Sequence, residues 1–165
     1  MTTRTDLPEL EDLLPTSDVV DVKAARGPVS LRQFVAGSLG YSPVWVKALF
    51  GIRIVVAKVL RLDMVGVPLH DRLTPDTVSF APGDQVSFFT VIRGEEHHYL
   101  VLGVEDNHLT AQLAIIVADD ATPVREYKVV TLVQYKRGVG KFYYNLIRPF
   151  HHLVVRSMIN AGVRR

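Results

Sequence analysis

Residues 138–165, GVGKFYYNLIRPFHHLVVRSMINAGVRR, decide how the rest of the chain is read. At about 100° per residue, a helical wheel centred on Phe150 gathers Tyr143, Leu146, Ile147, Leu153, Val154, Met158 and Ala161 on one face. Asn145, Arg148, His152, Arg156 and Asn160 take the other. The spacing predicts one long amphipathic C-terminal helix. Pro149 falls on its wet side, where water can take up the carbonyl of Asn145, so a kink is expected and not a stop. The alternative is that Pro149 opens a second, shorter helix. A kinked helix fits over a curved surface, and the chain before it reads as that surface.

From residue 85 the period is that of strands: QVSFFTVIR, a polar turn, HYLVLGV, the turn EDN, then HLTAQLAIIVA. Leu109, Ala111, Leu113, Ile115 and Val117 alternate with His108, Thr110, Gln112 and Ala114, so one face is buried and the other at least partly wet. A turn at Pro123 leads to a last strand, REYKVVTLVQYK, with Tyr127, Val129, Val133 and Tyr135 on one face. Residues 63–84 read as a loop over the sheet edge, with a short strand at 77–80. Ahead of it, residues 17–24 form a first strand and Ser30 caps a short helix over 30–39 that Gly40 closes. Ser42 and Pro43 start a second helix reaching residue 62, whose apolar arc, from Val44 and Trp45 to Val59 and Leu60, is wide enough to be covered on two sides. The fold class is therefore α+β: strand, two short consecutive helices, a curved antiparallel sheet and one long helix laid on it, which leaves a pocket. Residues 1–16 read as a flexible lead-in and 17–165 as a single domain.

A chain of 165 residues can bury about 70% of the surface its unfolded form exposes. It has no cysteine, which excludes disulfides, thiolate nucleophiles and cysteine-held metals. The acidic, proline-containing first 15 residues lack the pattern of a secretion signal, and a cytoplasmic location is expected. The most membrane-like stretch, 43–62, is interrupted by Lys47, Arg53, Lys58 and Arg61, so no membrane span is expected. Charge is uneven. Residues 125–165 carry nine Lys and Arg against one Glu, a balance of +8, while residues 1–124 carry ten against sixteen acids, −6. Two halves that complement each other account for this without a nucleic-acid partner.

The paired helices with Pro43, Val44, Trp45, Leu49, Ile52 and Arg53, the hairpin residues Asp106, Asn107, His108 and Leu109, and Tyr143, Pro149, Phe150, His151 and Met158 in the closing helix together carry a family likeness. Over about residues 17–159 the chain resembles an uncharacterised bacterial-type family, domain-of-unknown-function family 2867, within the START, polyketide-cyclase and birch-pollen-allergen superfamily (SRPBCC) of helix-grip folds. The resemblance implies a hydrophobic cavity between sheet and long helix for lipids, sterols, polyketides or other apolar molecules, and it implies no catalytic residue.

Neighbouring histidines such as His97–His98 or His151–His152 point in different directions and make poor metal ligands, so no metal and no cofactor are expected. Asp106 and His108 resemble part of a triad, but no nucleophile elbow accompanies them. The stretch 137–141, RGVGK, offers N–H groups and cations at a helix start for an anion, or simply a joint. The expected ligand-binding residues are Trp45, Leu49, Phe88, His98, Leu113, Tyr127, Tyr143, Phe150 and His151, with a small apolar or amphipathic molecule as partner and the protein a monomer or homodimer. Two other readings stand beside this one: acid–base catalysis on such a molecule through His151, His98 or a tyrosine, and an interaction module using the basic C-terminal helix.

Overall fold

The alternating stretch after residue 85 folds as expected into antiparallel strands, and the closing helix crosses their inner face. The computed structural model describes residues 7–62, 73–120 and 123–164. After a 3-10 turn at Pro8–Leu10 come β1 (Val19–Gly27), α1 (Leu31–Leu39) and α2 (Val44–Val59). A second 3-10 turn, Pro75–Thr77, precedes β2 (Gln85–Val86), β3 (Phe89–Glu95), β4 (Tyr99–Glu105), β5 (Leu109–Asp119), β6 (Arg125–Tyr135) and α3 (Gly138–Val163). The six strands form one sheet in the order β1-β6-β5-β4-β3-β2, every pair antiparallel. This is the helix-grip architecture.

Several local details differ from the sequence reading. Residues 85–93 are two strands, because Ser87 takes a left-handed φ of 57° and turns the chain back within two residues. No strand forms at 77–80, where the 3-10 turn at Pro75–Thr77 is held by Thr74 and Thr77 side-chain bonds. The rest of the expected edge loop, residues 63–72, lies outside the described residues. Ser30 caps α1 with a full capping box to Gln33, but Ser42 does not cap α2, whose N-cap is Pro43. Among the described residues α2 is covered on one side only. Val46 and Ala57 are buried, whereas Val44, Ile52, Val55 and Val59 face outward.

Helix α3 runs without a break through Pro149. Its buried face is centred near His151, about one residue round the wheel from Phe150: Gly140, Tyr143, Tyr144, Val155, Ile159 and Gly162 are buried, while Phe150 and Leu153 are each 53% exposed. Hydrophobicity cannot fix this rotation, because the apolar arc is wider than the buried face. Close backbone approaches do. A Cβ on Gly140 would stand 2.3 Å from the carbonyl oxygen of His108, and one on Gly162 2.9 Å from that of Phe34. Only hydrogen fits at these two points, and they lie near opposite ends of the helix on one stripe.

The sheet buries both faces. Inside, α1 and the C-terminal half of α3 enclose a core in which Phe34 stacks on Tyr127 at 4.5 Å between ring centroids. A separate inner cluster joins Leu109 and Val133 to Tyr143 and Tyr144. Outside, Leu7, Leu10 and Leu14 cover Val101, Ala114, Ile116, Val130 and Leu132. The segment read as a flexible lead-in thus packs, from residue 7 on, against the face of β5 that was expected to be partly wet.

Candidate functional site

The two inner clusters do not meet. Between them, under α2 and against α3, lies a cavity of about 210 Å³. β5 and β6 present Ala111, Leu113, Thr131 and Val133 to it, α3 presents Tyr143, Tyr144, Ile147, His151 and Val155, and the β2–β3 turn brings Phe88. α2 closes it with Val46, Phe50 and Arg53, which fall on one stripe at spacings of four and three. A second crevice of about 240 Å³ runs between α2 and α3 on the far side of Phe50, Arg53, Ile147, His151 and Val154, which both spaces share.

Of the residues expected at the site, Phe88, Leu113, Tyr143 and His151 line the cavity, and Leu49, Phe150 and His151 line the crevice. Three are placed elsewhere. Tyr127 is core, stacked on Phe34, and its hydroxyl donates to the Val29 carbonyl. His98 lies at the β3–β4 turn, where its ring reaches Glu9 at 3.5 Å. Trp45 sits in the first turn of α2, 38% exposed, and borders neither space. The strand and helix periods assigned the faces but could not say which end of the inner face α1 fills. Tyr127 lies at the filled end.

Five polar residues in the wall were not anticipated as a group. Arg53 Nε donates to the Tyr143 hydroxyl at 2.6 Å. Thr131 Oγ1, Tyr144 OH and His151 Nδ1 are buried without a hydrogen-bond partner among the described residues. The signal for Thr131 was present in the sequence as the one polar residue in the inward series Tyr127, Val129, Thr131, Val133. Tyr144 was missed because the wheel was centred one residue too far round.

Burial sets the protonation of this wall. His151 is pushed down to about 4, chiefly by desolvation, with His152, Lys23 and Arg53 adding in the same direction and Asp21 opposing. It is therefore neutral at pH 7 and carries one donor and one acceptor. Tyr143 and Tyr144 are raised by burial, an effect that Arg53 partly offsets at Tyr143 and Arg148 at Tyr144. Both stay phenols.

His108 lies outside the cavity wall. Its ring is buried edge-on against Tyr143, 5.2 Å between centroids, and its carbonyl accepts from Lys136 and Arg137 N–H groups. Asp106 N–H closes the β4–β5 turn on the Leu109 carbonyl at 2.9 Å. The 137–141 stretch is a joint, since Gly140 packs directly on the His108 backbone. Among the described residues, no group of three His, Asp or Glu side chains could hold a metal ion. Among the described residues no single helix is long and apolar enough to cross a membrane.

The family described as "Protein of unknown function (DUF2867)" matches residues 13–158. The chain belongs to this family. A search of curated proteins finds no match. Among solved structures, the crystal structure of Ara h 8.0201 is similar at a TM-score of 0.41 and 6% identity, covering 89% of this chain and 99% of that one. The matched DUF2867 span includes every residue of the cavity wall described above.

Proposed function

We propose that this DUF2867 chain binds a small amphipathic molecule in the cavity between the sheet and α3, with α2 as its cover. One observation carries the reading: a wall that is mostly apolar holds three buried polar atoms, Thr131 Oγ1, Tyr144 OH and His151 Nδ1, that nothing among the described residues satisfies. Each such atom costs about 1–3 kcal/mol when left unpaired, and a ligand with matching hydroxyl, carbonyl or acid groups recovers that cost. Small-molecule sites have this character, concave and apolar with a few placed polar groups. The expected ligand-binding residues Phe88, Leu113, Tyr143 and His151 belong to this site, and Arg53, Thr131 and Tyr144 join them.

Native mass spectrometry of the purified protein, before and after exposure to a lipid extract, tests the reading. A bound species that leaves on denaturation is the expected result, together with a rise in melting temperature. Leu113 stands on the cavity floor, so Leu113→Trp should fill the space and abolish both signals while the chain still folds. Undiminished ligand binding by the Leu113→Trp variant would remove the cavity from consideration.

A further inference from the structure

Resting on the cavity reading, we infer that the ligand is an anionic amphiphile, an acid with an apolar body, and that Arg53 binds its carboxylate head. Four guanidinium groups elsewhere in this protein are matched to carboxylates: Arg26 to Glu126, Arg32 to Glu96, Arg93 to Asp12 and Arg125 to Asp120. Arg53, the arginine that lines both spaces, is not. Among the described residues no carboxylate forms an ion pair with it, and its hydrogen bond to the Tyr143 hydroxyl uses only one of its five N–H donors. It stands where the cavity and the crevice share a wall otherwise made of Phe50, Ile147, His151 and Val154. A cation beside such surface is poorly solvated and gains most from an anion.

The residues lining the two spaces carry the same sign, with Asp21 and Asp106 acting on His151 and Tyr143 from outside the lining. Neither space has an Asp or Glu in its wall, and Lys47 adds a second cation at the cavity. α2 and α3, the two helices that bound both spaces, contain no acidic residue at all. A positively charged, apolar-walled cleft concentrates anions and disfavours cationic amphiphiles. The planar guanidinium suits a carboxylate, which it can meet with two parallel N–H bonds. Tyr143 holds it in place through Nε, leaving the outer edge of the fork for the ligand. The apolar body then lies against Leu113, Val133 and Val155.

The test compares decanoate with decan-1-ol, equal in chain length and different in head group, by isothermal titration at sub-micellar concentration. Decanoate should bind about 10–100-fold more tightly, the range that a charge-assisted hydrogen bond supplies. Arg53→Gln should remove that preference by weakening decanoate alone, and Arg53→Lys, which keeps the charge, should retain part of it. Unchanged melting temperatures would show that the variants fold. If acid and alcohol bind equally well to the wild-type protein, or Arg53→Gln keeps the preference, the head-group assignment is overturned while the cavity stands. Binding of neither probe, with no difference between the wild-type and Leu113→Trp proteins, would overturn both.

Discussion

Helices α1 and α2 follow each other across a 64° bend, both are rich in apolar residues, and the structure uses them in opposite ways. α1 has a full capping box and buries Leu31, Phe34, Val35, Ala36, Gly37 and Ser38. α2, the more apolar sequence, has no side-chain cap and buries only Val46 and Ala57. Val44 and Val59 are 83% and 75% exposed. What separates the two is shape. Gly37 lets α1 meet α3 backbone to backbone at Gly162, whereas α2 presents Phe50 and Arg53 to a cavity that β5 and β6 line from the other side. One helix is part of the core and the other is a cover.

The sharpest way to break this contrast is to truncate one side chain in each. Phe34→Ala in α1 removes a fully buried ring stacked on Tyr127 and should cost about 3–5 kcal/mol in urea unfolding. Val55→Ala in α2, at a side chain 60% exposed, should stay within about 0.5 kcal/mol. A comparable loss at Val55 would mean that the outer face of α2 is covered in solution, and the cover would then be part of a larger core.

The seam between α1 and α3 gives the next largest effect. Gly162→Val places a branched side chain where even Cβ comes 2.9 Å from the Phe34 carbonyl oxygen, and overpacking of this kind costs about 1–3 kcal/mol. Thermal denaturation should show the loss. A neutral result would mean that α3 can slide at this point, and that the rotation placing His151 inward is not fixed by the glycines.

Acid should act on the cavity end. His151 titrates near 4 in the folded protein and near 6.5 when unfolded, so between those values the unfolded chain binds more protons and stability rises with pH. On going from pH 7 to 5 the protein should lose about 2 kcal/mol through this residue. The groups facing it are Lys23, Arg53 and His152, which deepen the shift, and Asp21, which opposes it. His108 is lowered too, by burial first, and contributes in the same window. The test is therefore the difference between wild type and His151→Asn, whose pH dependence should be shallower. Parallel curves would place His151 in contact with water.

The long strands and the long helix were legible in the sequence because alternation and the 3.6-residue period are strong over 11- and 26-residue elements. The element order already implied a pocket, and the family likeness added the helix grip and the apolar class of ligand. What the sequence did not disclose was rotation and depth. A wheel centred on Phe150 put Tyr144 out of view, since the apolar arc of α3 is wider than the buried face and two glycines decide which part of it faces in. Tyr127 and Leu113 both point inward from the sheet, yet α1 fills the space over one and not over the other. Arg53 read as an interruption of an apolar helix, whereas the fold makes it a wall residue of both spaces.

The smallest effect is also the one with opposite signs in the two helices. A Cβ on Gly37 would lie 3.1 Å from the Gly162 Cα, so Gly37→Ala should destabilise by forcing α1 and α3 apart. A Cβ on Gly51, in the middle of α2, meets nothing within 4 Å. Gly51→Ala should therefore stabilise the protein by about 0.5–1 kcal/mol, through the lower entropy of the unfolded chain and better helix propensity. If α2 is a cover that loosens to admit ligand, the same change should also slow hydrogen exchange across α2 while leaving α1 unaffected. Equal slowing in both helices would show that they open as one unit, and the distinction between core and cover would lose its dynamic meaning.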